Sequence, residues 1–321
     1  MLFTRGIRGY ALGVVAAIAL VLAAAPARAD TAVSDCGTLT TAGNYFLTKN
    51  ITATGTCIIV GSEGVSLDMK GFTITGNGTG DGISDGGGHF ESMAIANGSI
   101  RNFDVGIGLD SSCCVVIRNV NASNNTETGI LVGNCCGTLD AITANGNGTV
   151  GVMALDCCFT LNNIQASGNG GGGGIVSTNC CTTISNSTVT NNGGTGVSGT
   201  NCCNFLVSSN VQHNGADGVS MSGCCNFVVG STVAFNSSDG IHLTNSDNLV
   251  SGSNASANAG NGIFLETSDN QITNTTASGN QGAGASVGCP GAITGLTTKG
   301  NTGGPLSTSG GTCTQLNNKL N

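Results

Sequence analysis

Gly240-Ile241-His242-Leu243-Thr244-Asn245-Ser246-Asp247-Asn248-Leu249-Val250 sets the reading of the whole chain. Its first four residues alternate apolar and polar, the period of a half-buried strand. Its Ser246-Asp247 pair returns as Ser268-Asp269, 22 residues on. Toward the N-terminus the same slot holds cysteine pairs: Cys224-Cys225, Cys202-Cys203, Cys180-Cys181, Cys157-Cys158, Cys135-Cys136 and Cys113-Cys114. Their intervals are 22 residues with a single 23, and the extra residue falls in the glycine run 168–174.

Other positions keep this beat. Twelve residues after the first Cys comes Asn125, Asn147, Asn169, Asn192, Asn214, Asn236, Asn258 or Asn280. A glycine follows shortly after, from Gly129 through Gly240 to Gly284, and then an apolar residue such as Ile130, Val219 or Ile263. A fixed period of this kind marks a solenoid, whose coils bury a core only by stacking. We expect about nine coils of 22 residues, with strands about 4.8 Å apart. The Asn column reads as a ladder of side-chain amides that satisfies turn backbone. The Gly column reads as a turn that needs positive φ.

This register resembles the right-handed parallel β-helix repeat proteins, including the NosD-type periplasmic repeats, whose pattern runs G-I-x-L-x-x-S-x-x-N-x-I. The stretch from Gly240 to Val250 follows its first half, and the resemblance covers roughly Gly64 to Leu296. It implies an all-β chain: a right-handed, single-stranded parallel β-helix, a solenoid with capped ends. It implies no single activity, because the family includes polysaccharide lyases, hydrolases, epimerases, adhesins and copper-site maturation proteins.

The ends read differently from the middle. Arg5 and Arg8 precede an apolar run from Ala11 to Ala25, and Ala27-Arg28-Ala29 fits a small-x-small cleavage site. Residues 1–29 are therefore expected to be a signal peptide, and the mature chain secreted or periplasmic. No later stretch is apolar enough for a membrane span. We expect an N-terminal cap over 30–63, coils over 64–289 and a C-terminal cap over 290–321.

Composition excludes several partners. Only 8% of residues are charged, and no Lys or Arg occurs between Asn119 and Thr298. Nucleic acid needs a basic track to neutralise its phosphates, so it is not an expected partner.

Sixteen cysteines in an oxidising compartment point to disulfides. Cys36 with Cys57, and Cys289 with Cys313, are expected to pair across the two caps. For the twelve cysteines of the ladder, three uses compete: structural disulfides or buried thiols, a soft-metal thiolate site, and redox chemistry. The resemblance implies that the first Cys of each pair, Cys113, Cys135, Cys157, Cys180, Cys202 and Cys224, points inward. It implies that Cys114, Cys136, Cys158, Cys181, Cys203 and Cys225 face outward or sit in the turn.

Two constellations are candidates for chemistry. Asp217 and Asp239 share one repeat position before the Gly column, with His242 three residues after Asp239 and Glu266 on the next coil. A carboxylate pair beside a His suits acid/base catalysis or calcium. Asp before Gly is also ordinary turn chemistry, and Thr128 and Asn261 hold the same slot. The second constellation is the Gly- and Asp-rich loop 78–91, with Asp81, Asp85, His89 and Glu91, which could bind calcium or a substrate. His213 reads as a loop residue. The outward column Asn121, Thr143, Gln165, Thr188, Asn210, Thr232, Asn254 and Thr276 is a mixed polar surface. The leading expectation is a non-catalytic structural, adhesive or glycan-binding module that needs no cofactor and meets an extracellular or cell-wall glycan. The rivals are a hydrolase or lyase on a neutral glycan, and soft-metal binding by the Cys ladder.

Overall fold

The structure is a computed structural model that describes residues 30–321 apart from Cys135, Cys157, Cys180 and Cys202. The expected signal peptide lies outside the described residues. Strands are short and all pairings are parallel, and no helix occurs among the described residues. One coil runs through Ile241–Leu243, turns, continues through Leu249–Ser251, bends at Gly252 and finishes with Asn254–Ser256. The next coil repeats it in register: Ile241 lies beside Ile263, His242 beside Phe264 and Val250 beside Ile272.

Alternation then sorts the side chains. Ile241, Leu243, Val250 and Ala255 point inward and are fully buried, as are Ile263, Leu265, Ile272 and Ala277 one coil on. Burying each larger side chain contributes roughly 1.5–3 kcal/mol. No coil holds enough of them to fold alone.

The Asn column is the expected ladder. From Asn125 to Asn280, each side-chain amide donates to the Oδ1 of the next at 2.9–3.0 Å, and the series ends on Asn301. The same Oδ1 atoms accept the backbone N–H of the preceding Asn. A second ladder, Asn204, Asn226, Asn248 and Asn270, runs up the turn after the cysteine pairs.

Three expectations change. The solenoid makes about 13 turns, not nine, because 13 strands from Gly37–Leu39 to Leu306–Ser309 stack in one of its sheets. Strands inside both expected caps are paired in parallel with neighbouring coils. The N-terminal coils hide because their spacing leaves 22: Gly37 pairs with Ile58, Ile58 with Ile83, and Ile83 with Ile107. Second, the supposed loop 78–91 contains the strand Asp81–Ser84.

Third, the Gly column is not among the positive-φ residues. A Cβ on Gly240 would stand 2.5 Å from the Asn258 amide nitrogen and 2.6 Å from the Gly262 carbonyl oxygen. The column is glycine because the Asn ladder passes too close for a side chain. Positive φ falls instead at bends held by Asn186, Ser208, Gly230, Gly252 and Asn274.

Candidate functional site

The turn that joins Asn210–Gln212 to Val219–Met221, and its counterpart one coil on, carry most of the candidate side chains. His213 and Phe235 open the two turns, and their rings stack at 5.0 Å with an interplanar angle of 9°. Phe235 is 54% exposed. Both residues take left-handed backbone, with φ of 54° and 55°. That region suits Gly and Asn and is costly for a bulky aromatic. Ala257 and Gly279 hold the slot in the next two coils. The signal in the sequence for this stack is the 22-residue spacing of His213 and Phe235, which no repeat motif marks.

Asp217 and Asp239 sit four residues further along the same turns. Asp217 accepts the backbone N–H of Asp239, Asp239 accepts that of Asn261, and Asn261 accepts that of Ala283. Both aspartates thus belong to a third ladder that ties successive turns together. His242 projects between them and the next coil. Its Nδ1 lies 3.3 Å from Asp217 Oδ2 and its Nε2 lies 2.8 Å from Glu266 Oε1. Phe264 stacks on the imidazole at 4.8 Å.

These contacts set the charges. The hydrogen bond to Asp217, aided by Glu266 and opposed by burial, raises the His242 pKa to about 9. Burial pushes Asp217 up, but hydrogen bonds from His242, Ser238 and the Asp239 amide outweigh it and hold the carboxyl below its ordinary value. Burial and the Asp217 charge raise Asp239. At neutral pH His242 is therefore an imidazolium clamped by two carboxylates: a proton donor with no lone pair to act as base. Donor atoms of Asp217, Asp239 and His242 lie within 4.8 Å of one another. A charged imidazolium in their midst suits calcium poorly, since that ion asks for six or more oxygen ligands.

The 81–91 constellation is divided. Asp85 is buried and accepts hydrogen bonds from Gly87, Ser111 and the Ser112 hydroxyl, so its carboxylate holds the loop. His89 meets the Ser111 carbonyl at 2.6 Å and lies 3.9 Å from the Cys113 sulfur. Asp81 is raised by burial, against a Ser84 hydrogen bond, with further push from Asp104 and Asp110. Glu91 bridges through its backbone to Cys113.

The mixed polar column is continuous. Thr73, Ser99, Asn121, Thr143, Gln165, Thr188, Asn210, Thr232, Asn254, Thr276 and Thr297 are paired rung by rung on one outer face. Two shallow depressions meet at Ser99 and Asn121. One, of about 380 Å³, adds Asn97, Asn119 and Thr143; the other, of about 170 Å³, adds Thr73, Arg101, Ser123 and Asn124.

The cap cysteines pair as expected, Cys36 with Cys57 and Cys289 with Cys313, with Cα separations of 4.5 and 5.1 Å. In the ladder, Cys113 is buried and disulfide-bonded. Cys224 departs from the inward expectation and is exposed. At three of the pairs the residue that follows, Thr182, Asn204 or Asn226, is fully buried. At the last of these turns Cys224 is exposed and Cys225 half-buried, whereas Cys113 keeps the inward place. Cys135, Cys157, Cys180 and Cys202 lie outside the described residues. Cys114, Cys203, Cys224 and Cys225 carry free thiols. The hydrogen bond with Cys224, then burial and Cys203, push Cys225 up to about 11, away from a reactive thiolate.

Residues 173–320 match the family model described as the right handed beta helix region. The fold is a right-handed parallel β-helix. Solved structures agree on the fold of this β-helix. The A-module of the Azotobacter vinelandii mannuronan C-5 epimerase AlgE4 superposes with a TM-score of 0.62 at 12% identity, covering 87% of this chain and 86% of that one. The periplasmic alginate epimerase AlgG gives 0.57 at 15% identity, covering 85% and 77%. The A-module of the A. vinelandii epimerase AlgE6 gives 0.55 at 16% identity, covering 91% and 88%. No curated protein matches the chain by sequence.

Proposed function

We propose that this protein is an exported β-helix module that binds a polysaccharide along its outer polar face. The observation that carries the proposal is the stacked pair His213 and Phe235. A bulky aromatic is held exposed, in a backbone conformation that works against stability, next to the strands that bear the polar column. Strain of this kind persists where the surface has a use for the side chain. An exposed ring offers a flat apolar face to a sugar ring. The column of Asn, Thr and Gln beside it offers hydrogen-bond donors and acceptors at each coil, spaced close to the length of one pyranose unit. The epimerases with this fold are named for mannuronan and alginate, both polysaccharides, which supports a glycan as the ligand class. The scarcity of cations favours a neutral polymer over a polyanion.

Co-sedimentation of the mature protein with insoluble neutral polysaccharides, and affinity electrophoresis in soluble ones, tests this reading. Binding should fall at least tenfold in Phe235→Ala and in Thr188→Lys, with the strand circular-dichroism signal unchanged. Equal binding by wild type and both variants would sink it.

A second reading rests on the opposed shifts of Asp217 and Asp239, the pattern by which two carboxyls divide acid and base roles. In that reading the protein cleaves the glycan. Depolymerisation by wild type that is lost in Asp239→Asn would replace binding with catalysis.

A further inference from the structure

Three thiols gather at one turn. The sulfurs of Cys203, Cys224 and Cys225 all lie within 4.8 Å of one another, drawn from two successive coils, and no oxygen or nitrogen donor belongs to the group. All three are free thiols, with Cys224 exposed and the other two half-buried. A disulfide between any two of them would leave the third sulfur beside it.

The turn beneath them is fixed. The Asn226 amide donates to the Gly223 carbonyl at 2.7 Å and to Asn248 at 3.0 Å, while its own Oδ1 accepts both the backbone N–H and the amide of Asn204. Asn226 thereby pins the turn that carries Cys224 and Cys225 to the one that carries Cys203. Two residues further on, the rings of Phe205 and Phe227 stack at 4.8 Å with an interplanar angle of 2° and lock the two coils in register. The backbone is left-handed at Asn201, Gly223 and Cys225, which turns the chain sharply around the sulfurs. One coil later the pair is Ser246-Asp247, whose hydroxyl and carboxylate bond to each other, so among the described residues the three-sulfur set occurs at this turn alone.

We propose that Cys203, Cys224 and Cys225 form a copper(I) site. Thiolates are soft donors that select copper(I) over hard cations, and a set of three sulfurs suits its low coordination number, whereas structural zinc asks for four ligands. On binding, the ion replaces the three thiol protons, which leave to solvent. The rigid turn presents the sulfurs nearly gathered, so little ordering is lost when the ion enters. This site is independent of the polar face and of any glycan bound there.

The test uses mature protein recovered from the export compartment without reductant and kept anaerobic. Its peptides are first mapped by mass spectrometry under non-reducing conditions after alkylation. Copper(I) is then titrated from a chromogenic chelator complex. The expected result is alkylation at Cys203, Cys224 and Cys225 in the chelator-treated protein, and protection of all three by copper(I). Wild type should withdraw one more equivalent of copper than Cys225→Ser or the exposed-site variant Cys224→Ser. X-ray absorption on the difference between wild type and variant should show sulfur alone at a coordination number of three. A disulfide engaging any of the three in the unreduced protein overturns the proposal. So does equal copper uptake by wild type and both variants, and so does nitrogen or oxygen in the differential absorption spectrum.

Discussion

His242 Nε2 and a Glu266 carboxylate oxygen approach to 2.8 Å, while the opposite ring nitrogen of His242 lies 3.3 Å from Asp217. The imidazolium so bridged has its pKa raised to about 9, above the ordinary 6.5. A raised folded-state pKa stabilises the fold fully below the unfolded value, and that share is lost as pH rises through the folded value. Stability should therefore decline between about pH 6.5 and pH 9 by about 1–2 kcal/mol, discounted because Glu266 is 41% exposed and screened. Asp217 contributes with the opposite sense: its lowered pKa gives stability that is present above its ordinary value and lost as pH falls through the folded one. Urea unfolding across this range checks the alkaline slope, which His242→Gln should flatten. An NMR titration of His242 with a midpoint near 6.5 would overturn the assignment.

Asp217 and Asp239 occupy one repeat slot yet should respond oppositely to neutralisation. Asp239 is held above its ordinary pKa and serves mainly as an acceptor for the Asn261 N–H, a role that Asn261 itself performs for Ala283. Asp239→Asn keeps the acceptor and removes a half-buried charge beside Asp217, so it should be neutral or stabilising by up to about 1 kcal/mol. Asp217→Asn removes the partner of His242 and should cost about 1–3 kcal/mol. The urea midpoints of the two variants at pH 7 should move in opposite directions or differ clearly.

The ladders make sharper demands. Asn236 Oδ1 accepts the backbone N–H and the amide of Asn214, and its own amide donates to Asn258 and to the Val211 carbonyl. Asn236→Leu leaves those groups buried without partners and should cost about 3–5 kcal/mol, with loss of folded yield. Gly240→Ala meets the same ladder sterically and should cost about 2–4 kcal/mol. Gly252→Asn should cost little, since its positive φ is a conformation that Asn186 and Asn274 adopt at the matching bends.

These features differ in how openly the sequence shows them. A strict 22-residue beat makes the Asn ladder, the strand register and the stacking of Asp217 on Asp239 readable, because coil contacts are between residues one period apart. The end coils are obscured where that spacing drifts, as between Ile58 and Ile83. The Gly column shows the limit of local reasoning. Its position was legible, but its cause is a neighbouring ladder and not its own φ. Cys224 departs from its inward place for a related reason: Asn226, one residue beyond Cys225, takes the inward slot.

Phe235 gives the most discriminating prediction, because stability and function should part there. Its φ of 55° costs about 1–2 kcal/mol for a residue that is not Gly or Asn. Its ring is exposed and returns little by burial. Phe235→Asn should therefore stabilise the protein by about 1 kcal/mol, read as a higher urea midpoint. His213→Asn should behave alike, since it shares the left-handed slot. If the ring pair is a sugar platform, the same Phe235→Asn variant loses polysaccharide binding by at least tenfold while Phe235→Tyr keeps it. A stabilised Phe235→Asn with unchanged binding would leave the aromatic without a function and count against the glycan face. A destabilised Phe235→Asn would mean that the ring stack on His213 outweighs the backbone strain, and would remove the strain argument on which the proposed function rests.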